Sequence, residues 1–169
     1  AASSQGRGYV IVAAAVSVIM NCLNCEKYLA EAIDSVFSQT FDDWEILFWD
    51  NASTDSSAAI AKAYPSRVRY HRSDETVPLG EARNRAIEQA SGTYIAFLDC
   101  DDLWLPEKLE RQIPLFSKPE VGLVFSESIF FNTSGQERPF YGNNMPERGD
   151  VFRSMLRSYR LSLETVIIR

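Results

Sequence analysis

A hydrophobic period that switches repeatedly between strand-like and helix-like limits this chain most, because alternating β and α segments bury their apolar faces only by packing in layers. "VSVIM" (16–20) reads as a strand, and "KYLAEAIDSVFSQ" (27–39) as a helix with Leu29, Ile33, Val36 and Phe37 on one face. "WEILFWD" (44–50) reads as a strand, "STDSSAAIAKAY" (53–64) as a helix that Ser53 or Thr54 could cap, and "RVRYH" (67–71) as a short strand. "LGEARNRAIEQAS" (79–91) is predicted helical, ending at Gly92 as a residue tolerant of positive φ, and "TYIAFLD" (93–99) is a buried strand. "PEKLERQIPLF" (106–116) predicts a helix opened by Pro106, while "VGLVFSESIFF" (121–131) and "LETVIIR" (163–169) predict further strands. This order implies an α/β fold with a mostly parallel sheet flanked by helices on both faces.

Ligands of such sheets bind beyond the carboxyl ends of the strands. Asn21 to Asn24 follow the first strand, Asp50 and Asn51 the second, and "DCDD" (99–102) the fourth. If the DxD stretch is extended, Asp99 and Asp101 point to one side and Asp102 to the other. Three carboxylates in four positions suit a hard divalent cation, Mn²⁺ or Mg²⁺, which takes oxygen ligands and bridges phosphates.

With 169 residues there is room for one core, and a net charge of −6 argues against a broad nucleic-acid-binding face. An anionic ligand must then be met locally, through a cation or a few donors. No stretch reaches membrane-spanning length. Residues 1–15 read as a flexible lead-in and 16–169 as the folded domain, although the apolar run 9–20 after Arg7 has some signal-peptide character. Cys22, Cys25 and Cys100 are odd in number and suit a reducing compartment. The lone CxxC is a weak zinc signal, with the single histidine, His71, far away in sequence; buried free thiols are the expectation.

The stretches "VSVIMNCLNCEKYLAEAIDSVFSQTFDDWEILFWDNASTD" and "GEARNRAIEQASGTYIAFLDCDDLWLPEKLERQI" resemble the nucleotide-sugar-binding part of the family 2 glycosyltransferases, which have the GT-A fold. The resemblance runs from Val16 to the end of the chain. It implies a nucleotide-diphosphate sugar donor, a carbohydrate or lipid-linked acceptor, and transfer with inversion. It also implies work on cell wall or polysaccharide, in the cytoplasm or at the inner face of a membrane as part of a longer protein. Asp101 is then the metal ligand and Asp99 a contact to ribose or metal. Asn21, Leu23, Asn24, Asp50 and Asn51 line the nucleoside end, and Arg83 pairs with a phosphate or with Asp99. Two positions depart from the family pattern. Asn51 stands where a second carboxylate is usual, and Leu23 where an aromatic is usual, which leaves the base open. Trp44, Trp49 and Trp104 are expected in core or rim packing, with Trp104 near the DxD.

Inverting members use an acidic general base in a downstream motif, and no residue up to Arg169 matches it. The expectation is a donor-site scaffold with little transfer of its own. Two rivals are a non-catalytic nucleotide-binding module and a haloacid-dehalogenase-type phosphatase. For the latter, the DxD is far from the N-terminus and Leu103 stands where Thr or Val is usual.

Overall fold

The structure is a computed structural model that describes residues 14–132, 134–158 and 160–169. Most of the expected lead-in, and much of the apolar run 9–20, lies outside the described residues. Strand β1 (Val16–Cys22), helix α1 (Leu29–Phe37), β2 (Trp44–Asp50), α2 (Ser57–Lys62), β3 (Val68–Arg72), α3 (Leu79–Ile87) and β4 (Tyr94–Phe97) follow one another as alternating units. Then come α4 (Lys108–Gln112) with a 3₁₀ extension (Ile113–Ser117), β5 (Leu123–Val124), β6 (Ile129–Phe131), β7 (Glu137–Pro139), α5 (Phe152–Arg157), a 3₁₀ turn (Leu163–Thr165) and β8 (Ile167–Ile168). The main sheet has the order β3-β2-β1-β4-β8-β5. β1 lies parallel to β2 and β4, and β2 parallel to β3, whereas β8 runs antiparallel between β4 and β5.

Strands covered on both faces need apolar residues at odd and even positions alike. Val18 and Met20 pack with Ile46, Phe48, Leu29 and Ile33 in the main core, while Ile19, Leu47 and Phe97 meet Ala86 of α3 on the opposite face. The expected layers are therefore present, and parallel pairing aligns Cys22 with Asp50 and Ile19 with Phe97. The carboxyl ends of β1, β2 and β4 thus share one rim.

Several boundaries differ from expectation for identifiable reasons. α2 begins at Ser57, and Asp55 rather than Ser53 or Thr54 accepts the Ser57 N–H, at 3.0 Å. Pro106 precedes α4 by two residues, and Pro114, which has no N–H to donate, falls where the α-helix gives way to 3₁₀. The segment 121–131 is two strands rather than one. Glu127 interrupts it by accepting the N–H groups of Ser128, Tyr141 and Gly142, and β6 then pairs with β7 as a separate hairpin whose Ile129, Phe130 and Phe131 are exposed. Ser162 accepts both the N–H and the hydroxyl of Thr165, so 163–165 coils and only Ile167–Ile168 is strand.

α3 ends at Ile87, so Gly92 is not its cap, and Gly92 is not among the positive-φ residues. Its role is close approach. A Cβ there would lie 2.6 Å from the backbone N of Ser17, while the Gly92 N–H donates to Ser17 Oγ at 2.9 Å. Ser17 in turn donates to Glu45, which also accepts from the Ser91 hydroxyl. Gly92→Ala is expected to lower unfolding stability by about 1–3 kcal/mol, the usual cost of overpacking against backbone, measured as a shift of the urea midpoint at unchanged m.

Lys108 turns its ammonium inward, donating to Gln112 Oε1 at 2.5 Å and to the Thr165 carbonyl at 3.2 Å, with the Trp104 ring 4.6 Å from Nζ. Burial pulls its pKa down to about 7, partly offset by the Glu164 carboxylate. The folded state then binds fewer protons than the unfolded chain between about pH 7 and the ordinary lysine value, so this group makes stability rise with pH across that window. A Lys108→Met variant is expected to lose this contribution, which has a limiting slope of about 1.4 kcal/mol per pH unit, in denaturation series run from neutral to alkaline pH.

Candidate active site

The rim begins with two loops that hold each other. After β1 the chain turns through Asn24 at φ 57°, and its side-chain oxygen accepts the Thr54 N–H at 2.8 Å. The Asn24 N–H donates to Ser53 Oγ, that of Cys25 to Ser57 Oγ, and that of Glu26 to Asp55, whereas Glu26 accepts the Ser56 N–H. Orphan amides ahead of α1 and α2 are thereby satisfied reciprocally. The β1 turn and the β2 loop form one unit.

Asp50 anchors that unit from below. Its carboxylate has no exposed surface and accepts from Ser53 N at 2.7 Å, Tyr70 OH at 2.5 Å and Arg72 at 2.7 Å. Arg72 also donates to the Ser53 carbonyl at 2.9 Å. Burial, and then the hydrogen bond to Asp50, pushes the Tyr70 pKa up. Asn51 is buried beside it and clamps the loop before α3, donating to the Val77 carbonyl at 2.8 Å and accepting the Val77 N–H at 3.0 Å. A carboxylate could accept that N–H but could not donate to that carbonyl. The amide at position 51 thus serves a loop that a second aspartate would leave partly unpaired.

The DxD stretch is not extended. β4 stops at Phe97, and the Asp102 N–H donates to the Asp99 carbonyl at 3.1 Å, which closes a turn over 99–102. Period-two alternation therefore does not decide where Asp99, Asp101 and Asp102 point, contrary to the sequence expectation. Asp101 is exposed. Asp99 forms an ion pair with Arg83 of α3 at 2.8 Å, one of the two pairings expected for that arginine. Asp102, expected to face away, is half-buried with its pKa pushed up to about 6 by burial, then by Glu164, Asp101 and Asp99. The turn is therefore a concentration of negative charge with one guanidinium on its flank.

Such a site fits a hard cation by its donor chemistry: Asp101 and Asp99 would supply oxygen, and the neighbouring carboxylates add to burial in raising the pKa of Asp102. The three aspartates do not form a closed cage; among the described residues the group of three ligating side chains with donor atoms within 4.8 Å of one another is Cys22, Cys25 and Cys100. Mg²⁺ and Mn²⁺ do not need such a cage, since one or two carboxylates plus phosphate and water suffice.

The structure brings Asn21, Asp50, Asp99, Asp101 and Arg83 to the same rim, with Leu23 nearly half exposed on it. It turns the side chains of Asp50 and Asn51 inward and commits Asn24 to Thr54. Trp104 is buried, with its indole N–H on the Glu164 carbonyl, and Trp49 donates to Ser73 while stacking on His71. Tyr70 and Arg72 were missed by sequence reasoning, which closed β3 at His71. Two polar residues at alternate positions of one strand end were the available signal.

Comparison with known proteins agrees with this arrangement. The family model described as Glycosyl transferase family 2 matches residues 17–165. The putative glycosyltransferase EpsE of Bacillus subtilis is 40% identical over 107 residues, covering 61% of this chain and 38% of EpsE. An Escherichia coli relative, UDP-Glc:alpha-D-GlcNAc-diphosphoundecaprenol beta-1,3-glucosyltransferase WfgD, is 29% identical over 90% of this chain and 59% of its own. The crystal structure of S. aureus TarS in complex with UDP-GlcNAc superposes with a TM-score of 0.74 at 26% identity, over 91% of this chain and 45% of that one. The chain thus spans between about two fifths and three fifths of the length of these relatives. Its family match, its GT-A sheet order and its carboxylate turn after β4 agree: the chain belongs to glycosyl transferase family 2.

Proposed function

We propose that this chain forms the donor-binding part of a glycosyltransferase that takes a sugar from a nucleoside diphosphate and passes it, with inversion, to a hydroxyl of a carbohydrate or lipid-linked acceptor. The observation that carries the reading is the Arg83–Asp99 pair beside exposed Asp101 on the rim where β1, β2 and β4 end. A diphosphate needs positive charge on an acidic protein, and here a guanidinium and a carboxylate turn supply a phosphate donor and a cation seat side by side. Uridine is the favoured base, supported by the TarS complexes with UDP and UDP-GlcNAc, and the acceptor class by the name of WfgD.

In this reading Asp101, with Asp99, would hold a divalent cation, Mn²⁺ or Mg²⁺, which would supply Lewis-acid stabilisation of negative charge on the nucleoside diphosphate. Arg83 leaves or shares its pair with Asp99 to donate to a phosphate oxygen. Asp50 and Asn51 position the nucleoside end through the loops they hold, and Asn21, Leu23 and Asn24 form its wall. The phosphatase reading is dropped, because the match to glycosyl transferase family 2 spans residues 17–165.

A thermal-shift series with UDP, GDP and CDP, each with Mn²⁺ or with chelator, tests the reading. UDP with Mn²⁺ is expected to raise Tm by several degrees, corresponding to about 2.7 kcal/mol at a ligand concentration near a hundred times Kd, and chelator is expected to remove the shift. Failure of every diphosphate to shift Tm would refute the donor assignment. Asp101→Asn is expected to abolish the Mn²⁺-dependent part while the ligand-free Tm stays within about a degree, since an exposed carboxylate contributes little to folding. Arg83→Ala is expected to weaken UDP at least about tenfold by isothermal titration, the usual loss of a charge-assisted hydrogen bond.

A further inference from the structure

The lone CxxC acquires a third member in the fold. Cys22 is the last residue of β1, Cys25 lies in the turn that follows, and Cys100 sits inside the turn after the neighbouring parallel strand β4. Their three sulfur atoms lie within 4.8 Å of one another. Around Zn²⁺, bonds of about 2.3 Å in tetrahedral geometry set sulfurs roughly 3.8 Å apart, so little closure is required.

We propose that Cys22, Cys25 and Cys100 form a binding site for a soft divalent cation of the Zn²⁺ class, separate from the hard-cation seat at Asp101. Thiolate sulfur selects such ions over Mg²⁺ and Mn²⁺, which prefer oxygen. The scaffold is fixed. Cys25 N–H is held by Ser57 Oγ at 2.9 Å, and the Cys25 carbonyl accepts the amides of Tyr28 and Leu29 at the start of α1. Ser53 Oγ, 3.7 Å from Cys22 Sγ, is a hydroxyl that can donate to the sulfur once the thiol has lost its proton. Cys100 donates its S–H to the Asn21 carbonyl at 3.3 Å, a proton that leaves on metal binding.

Access is also provided. Cys22 and Cys100 are buried, whereas Cys25 is partly exposed, so an ion would enter from its side and could keep a fourth position for water. Each thiol that ligates releases its proton to solvent, and three thiolates with one Zn²⁺ leave a net charge of −1. Cys100 lies between Asp99 and Asp101, so the ion would brace the backbone of the carboxylate turn against the β1 turn.

The sequence contains three cysteines in all, so a thiolate signal has no other source. The reduced, metal-free protein is titrated with Cd²⁺, which gives an ultraviolet thiolate charge-transfer band, and then with competing Zn²⁺. The expected result is a one-to-one band displaced by Zn²⁺ and unmoved by excess Mn²⁺, with affinity at least about tenfold lower in Cys100→Ser. Zn-edge X-ray absorption on the wild type is expected to count three sulfur ligands, a readout independent of whether the variant folds. Absence of the band in reductant, displacement by Mn²⁺, an unchanged affinity in folded Cys100→Ser, or a count of two sulfurs or fewer would overturn the proposal. A reduced protein that binds no Cd²⁺ but loses two hydrogens in intact-mass spectra on air exposure would identify the trio as a disulfide site instead.

Discussion

The buried carboxylate of Asp50 is the interaction on which the rim depends. It has no surface exposed to solvent, and its charge is held by Arg72, the Tyr70 hydroxyl and the Ser53 amide. Those three partners come from the end of β3 and from the loop after β2, and Ser53 in turn receives the Asn24 amide from the turn after β1. One charge therefore locks three chain segments into register. Removing one partner of such a pair leaves a buried charge uncompensated, typically a cost of about 3–5 kcal/mol. A structural role of this size accounts for an aspartate at the end of β2.

Between those two acidic positions the electrostatic logic differs. Asp50 is paired with neighbours out of solvent, whereas the 99–102 turn has one guanidinium against three carboxylates, with Glu164 acting on Asp102 as well. The unbalanced turn is where added positive charge gains most. Net charge alone, −6 over the chain, would repel a diphosphate; in the function we propose, its concentration in this turn would favour a ligand that arrives with a cation.

The layered core was legible because burial on both faces leaves an unbroken apolar run, and β2 (Trp44–Asp50) matches its expected span residue for residue. The rim residues were legible as types but not as orientations. A turn closed by one backbone bond cancels alternation at Asp99 and Asp101, and only coordinates reveal that bond. Asn51 looked like a lost acid, yet its worth lies in a carbonyl 26 positions away. Gly92 looked like a helix cap, when its missing side chain makes room for Ser17. For Asn51 and Gly92 the deciding partner is distant along the chain, so no local pattern carried the information. The break at Glu127 was hidden for the same reason, because its three amide partners include Tyr141 and Gly142.

The placement of β8 between β4 and β5 has a consequence for biogenesis. β4 is made some seventy residues before the strand that covers its flank, and β5 joins the sheet only through that same late strand. During translation β4 presents an open ladder of amides and carbonyls until Ile167 and Ile168 have cleared the ribosome. Sheet completion therefore waits on a late pairing, and the nascent chain must keep that flank of β4 from other strands throughout the interval.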